Sequence, residues 1–179
     1  MDAEILQLFR ADCAEARGVN PGAPEYVALR SRDARRVARV MELLATGDPR
    51  SAEALHAAAW ILNHGETAEE VRLGHGLALK ALAAGHEPAR WLAAATLDRS
   101  LMYEGKPQRY GTNMVPDGRR IRVWDVDPST TDEERARWNV PPLAEMERRA
   151  AEASNGLMPP MDHAPPWLRA ALERWAKES

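Results

Sequence analysis

The chain has 179 residues, 45% of them hydrophobic and 28% charged, and a formal net charge of −3. That is enough for one domain with a substantial core, and the charge balance excludes a broad electrostatic pull toward nucleic acid or an anionic membrane surface. A single cysteine, Cys13, excludes an internal disulfide framework and a thiolate metal cluster.

The N-terminus, MDAEILQLFRAD, is acidic and amphipathic. It lacks the basic region and long apolar run of a signal peptide. No window approaches the roughly 20 apolar residues of a membrane span. A cytoplasmic location is therefore expected.

Residues 2–16 read as a short helix whose stripe is Ile5, Leu6, Leu8, Phe9 and Cys13. Gly18 to Pro24 is a break, with Asn20-Pro21-Gly22 as its turn signal. A second helix is predicted from Pro24 to Leu44. Its inner face is Val27, Val37, Val40, Met41 and Leu44, and its run Arg30, Arg32, Arg35, Arg36, Arg39 reads as a mostly solvated outer face.

Three helices with short connections follow, over 51–63, 68–84 and 88–104. Ser51 is the first N-cap, Thr67-Ala-Glu-Glu70 is a capping box, and Gly85 and Gly105 are stops. Short connections make neighbouring helices antiparallel. Beyond Gly105, residues 113–124 read as a small hairpin turning at Asp117-Gly118, with Pro116 on an edge arm. Short helices are expected near 131–138 and 141–153. A proline-rich linker and an amphipathic helix, 156–179, then pack back on the helical domain of residues 1–155. The predicted fold class is mainly α, an antiparallel bundle of helical hairpins with one small β-hairpin after the central helices.

The stretch from Pro88 to Asn113 carries the most chemistry. With the three central helices running up, down and up, His64, Asp98, Arg99, Gln108, Tyr110 and Thr112 share one end of the bundle, with His75 nearby. Each has apolar neighbours at helical spacing or follows directly from such a helix. Charges beside apolar surface are where pKa values shift, which makes this end a candidate site. His64, Asp98 and Tyr110 are the candidate catalytic residues. Asp98 would orient His64 or His75 as a general base or acid. Arg99 would hold an anionic group, and His75, Gln108 and Thr112 would contact the rest of a small substrate.

Metal chemistry is not expected, because His64, His75 and His86 lack an HExxH spacing and fall on different elements. Neither GxSxG nor a glycine-rich phosphate loop occurs, and no cofactor is expected. The six tryptophans are spread out and form no aromatic platform for nucleic acid.

Several of these segments carry a resemblance. They are Trp60-Ile-Leu-Asn-His64-Gly, Asp98-Arg99, Gly105-Lys-Pro-Gln-Arg-Tyr-Gly-Thr-Asn113, Asp125-x-Asp127-Pro128 and Asn139-Val-Pro-Pro-Leu-Ala-Glu145. Over about residues 50–150 the chain resembles a bacterial family of unknown function with "QHAD", "DR" and "PQxYGTQ" motifs. Here "QHAD" is Asn63-His64-Gly65-Glu66, and the last residue of "YGTQ" is Asn113. More faintly, Ala81 to Leu92 is similar to the helix junction of Sel1-like and tetratricopeptide repeats, which present surfaces to partner proteins.

Two readings follow. One is an enzyme-like or ligand-binding domain doing acid–base chemistry on a small polar, anionic substrate. The other is a protein–protein interaction module in which the Asp98-Arg99 pair is purely structural. Oligomeric state is not legible.

Overall fold

The order of elements follows from caps and stops that the chain carries locally. The computed structural model describes residues 1–15, 23–156, 158–162 and 164–178. The Asn20-Pro21-Gly22 turn signal lies outside the described residues, as do Leu157 and His163 of the proline-rich segment.

The helices are α1 (Asp2–Glu15), α2 (Pro24–Leu44), α3 (Ala52–Leu62), α4 (Ala68–Ala83) and α5 (Ala89–Tyr103). Then come β1 (Met114–Pro116), β2 (Ile121–Val123), α6 (Asp132–Arg137), α7 (Leu143–Ala153) and α8 (Pro166–Glu178). The Ser51 hydroxyl accepts from the Ala54 N–H at the start of α3. Thr67 and Glu70 close a reciprocal capping box at the start of α4. Gly85 (φ 87°) and Gly105 (φ 72°) take the left-handed conformation that ends α4 and α5.

Helix α4 packs against both α3 and α5, and α1 packs across α3. Small side chains make this approach close. A Cβ at Gly74 would lie 3.0 Å from Leu62 Cβ and 3.3 Å from the Ala59 carbonyl oxygen. The main core joins Ile5, Val37, Val40, Leu62, Leu77 and Leu92 with the alanines of α3 to α5.

The predicted inner face of α2 needs two corrections. Val27 is 70% exposed and lies outside the core. Arg36, read as solvated, is buried together with Asp33. Arg36 turns inward because Asp12 and Glu15 of α1 meet it there, and Asp33 pairs with Arg36 in turn.

Strands β1 and β2 pair antiparallel with Met114 opposite Val123, Val115 opposite Arg122 and Pro116 opposite Ile121. Asp117 sets the turn: its Oδ1 accepts from the N–H groups of Arg119 and Arg120, both at 2.9 Å. A second core lies behind this hairpin, where Trp124 packs with Met102, Val115, Leu168, Ala171 and Trp175. The indole rings of Trp167 and Trp175 sit 5.6 and 5.3 Å from that of Trp124, centroid to centroid. The C-terminal helix thus closes on the hairpin and on the end of α5.

Candidate functional site: an Asp–His pair and a carboxylate-centred loop

Asp98 lies one turn before the end of α5 and is fully buried. Its Oδ1 accepts from the backbone N–H groups of Arg109 (2.7 Å) and Tyr110 (2.9 Å). Its Oδ2 accepts from the Thr112 N–H (3.0 Å) and the Thr112 hydroxyl (2.8 Å). Burial pushes the Asp98 carboxyl up from its ordinary range, and these donors pull against it. The carboxylate therefore organises the loop that follows α5 and orients neither His64 nor His75.

The neighbouring groups are engaged in the same way. Gln108, fully buried, donates to the carbonyls of Asn113 (3.1 Å) and Trp124 (3.0 Å) and accepts from the Asn113 N–H (3.0 Å). Arg99 turns away from Asp98. It donates to the Asn63 carbonyl at 2.8 Å and to Asn113 Oδ1 at 3.0 Å. The Tyr110 ring is buried against Trp138, centroids 5.8 Å apart, and its carbonyl accepts from Arg135 Nε at 2.9 Å. Burial, then the charge of Glu134, holds the Tyr110 phenol above its ordinary value. His75 Nδ1 lies 2.9 Å from the Ala93 carbonyl, so Nδ1 carries the proton. Burial lowers its pKa and keeps the ring neutral.

His64 has a different setting. It follows α3 immediately, and its Nδ1 lies 3.1 Å from Asp12 Oδ1 of α1. Asp12 is 1% exposed and takes a second bond on Oδ2 from Trp60 Nε1 at 2.8 Å. Arg36 Nη1 stands 3.6 Å from Asp12 Oδ1 and 3.0 Å from Asp33 Oδ1. Burial would raise the Asp12 carboxyl, but His64, Trp60 and Arg36 outweigh it and hold it below its ordinary range. An ionised Asp12 can only accept, so His64 Nδ1 donates, and in the neutral ring Nε2 bears the lone pair. The His64 side chain is 21% exposed and lines a pocket of about 180 Å³ with Gly65, Glu66, Thr67 and Glu70.

The end-sharing expected from helix geometry is present in part. Arg99 reaches the Asn63 carbonyl, and the Tyr103 hydroxyl reaches that of Gly65 at 3.0 Å, so the ends of α3 and α5 meet. The side chains diverge: His64 turns to α1 and α2, whereas Asp98, Gln108 and Thr112 turn to the loop. The pocket at His64 contains neither Asp98 nor Tyr110.

Asp12, Trp60, Asp33 and Arg36 were not among the predicted site residues. A signal for Asp12 was present, since it lies seven residues from Ile5 and three from Phe9 on the apolar stripe of α1. Asp12, Asp33 and His64 each offer one ligand atom within 4.8 Å of the others. The Arg36 guanidinium already bridges the two carboxylates, which is the charge that a cation would supply.

The fold and this geometry define a mainly α, helical-bundle protein with an Asp–His pair of which only the histidine is partly exposed. Comparison with protein-family models, curated proteins and solved structures gave no match.

Proposed function

We propose that the chain is a small enzyme-like or ligand-binding domain that performs acid–base chemistry at His64, with Asp12 as the positioning carboxylate. The observation that carries the reading is the 3.1 Å contact from His64 Nδ1 to a buried Asp12 that Trp60 also holds. In its neutral form an imidazole oriented in this way presents Nε2 as a base, and once protonated it can return the proton as an acid. The resemblance through Trp60-Ile-Leu-Asn-His64-Gly supports the same histidine.

The substrate is small and polar. Arg99 was the reason to expect an anion, and it is spent on Asn63 and Asn113. The pocket is lined by two acids, Glu66, which stands 3.7 Å from Arg30, and Glu70, which caps α4. We therefore infer a substrate that is uncharged or cationic in the part that reaches His64.

The test is the tautomer of the ring, read from long-range ¹H–¹⁵N correlations of the His64 imidazole. In the neutral ring, a protonated Nδ1 with a bare Nε2 is expected. A neutral ring protonated on Nε2 instead would remove the oriented base and overturn the reading. A thermal-shift panel of small metabolites on wild type and His64→Gln then identifies the ligand class. The interaction-module reading draws support from Asp98, Arg99, Gln108 and Thr112, all bound to backbone or to one another. It differs in outcome, because His64→Gln would then leave binding unchanged.

A further inference from the structure

A separate pocket is lined by the turn of the hairpin and by α8. It has a volume of about 550 Å³, within the ~300–1,000 Å³ range of small-molecule sites. Met161, Leu172, Trp175 and Ala176 form its apolar wall, and Arg119, Arg120 and Arg122 its cationic rim.

The balance of charge there is informative. Asp117 is the acid that lines the pocket, and its Oδ1 is already occupied by the turn N–H groups of Arg119 and Arg120. Arg120 Nε stands 3.5 Å from Asp117 Oδ2, and the Arg120 side chain is 69% exposed. Among the described residues the Arg119 guanidinium makes no ion pair. The Arg122 guanidinium lies over the Trp175 ring, 3.9 Å from its centroid, and is offset by Asp125 at 3.5 Å. Asp125 also takes the Trp175 indole N–H at 2.9 Å and pairs with Arg174. Asp125 is thus shared between Arg122 and Arg174, and Asp117 faces Arg120, so the cations around this pocket outnumber the carboxylates that meet them, on a chain whose net charge is −3.

We propose that this pocket binds an aromatic carboxylate, with the ring against Met161, Leu172 and the Trp175 edge and the carboxylate on Arg119 and Arg120. Guanidinium groups pair with carboxylates in planar, two-point fashion. The aromatic and aliphatic wall accepts a flat apolar body.

Isothermal titration of the full chain with 2-naphthoate tests the proposal, with uncharged 2-naphthamide as the comparison. Saturable binding of the carboxylate is expected, with the amide at least about tenfold weaker. The double variant Arg119→Gln/Arg120→Gln lowers affinity for naphthoate by about tenfold or more. Ala176→Trp fills the pocket without changing charge and abolishes binding. All these positions are on the surface, and far-ultraviolet circular dichroism checks that the variants fold. Arg148→Gln, on α7, leaves affinity unchanged. The proposal is overturned by no saturation up to about 5 mM naphthoate, by equal binding of the amide, or by an equal loss in Arg148→Gln.

Discussion

Thr112 gives Asp98 two hydrogen bonds from one residue, its N–H at 3.0 Å and its hydroxyl at 2.8 Å, both onto Oδ2. With the Arg109 and Tyr110 amides on Oδ1, a single buried carboxylate replaces the ladder partners that an irregular segment lacks. Asp98→Asn would turn an amide NH₂ toward N–H donors on one side. The expected cost is about 2–4 kcal/mol, because the donors left behind are buried. Thr112→Val, which removes the hydroxyl alone, should cost about 1 kcal/mol. Urea denaturation midpoints would measure both, and amide exchange at Arg109, Tyr110 and Thr112 should accelerate in Asp98→Asn.

The Asp12 carboxyl has a folded-state pKa below its unfolded value. Its contribution to stability is therefore fully present above the ordinary carboxylate range and is lost as pH falls through the folded value. Asp12→Asn should be less stable than wild type at pH 7, with the gap narrowing as the pH is lowered below about 4. A gap that stays constant down to acid pH would mean that the carboxylate charge contributes nothing to holding His64 and Arg36.

His56 has the same sign of pH dependence as Asp12, in a higher pH window. Burial first, and the charge of His86 second, lower its pKa to about 4. Its ring stacks near His86, centroids 4.8 Å apart, and edge-on to Phe9 at 5.7 Å. The unfolded chain takes up a proton near pH 6.5 that the folded ring refuses. Stability therefore falls as pH drops from about 6.5 to about 4, and is flat in this respect outside that window. His56→Phe, which keeps the aromatic contacts, should shrink the difference in urea midpoint between pH 7 and pH 5.

The helices of this fold were legible because each is bounded by local chemistry. Thr67 with Glu70, Ser51, Gly85 and Gly105 are caps and stops that act within a few residues. The hairpin followed from Asp117-Gly118 in the same way. The partners of the polar groups were less legible, since they are set by tertiary contact. The spacing of Arg30, Arg32, Arg35, Arg36 and Arg39 describes a charged face, but nothing in α2 states that Asp12 and Glu15 arrive from α1 to bury Arg36. The adjacency of Asp98 and Arg99 suggested a pair, whereas neighbours in a helix point about 100° apart and these two serve different segments. His64 stood out in the sequence because it lies four residues from Trp60 at the end of a helix segment.

The second core has a consequence for synthesis. Trp124, Met102 and Val115 are covered by Leu168, Ala171 and Trp175, residues made some fifty positions later. On a ribosome emitting about 5–20 residues each second, that indole surface stays open for several seconds after the hairpin has emerged. During that interval the nascent chain displays a sticky aromatic patch, which makes chaperone contact or self-association a hazard specific to the time before α8 docks.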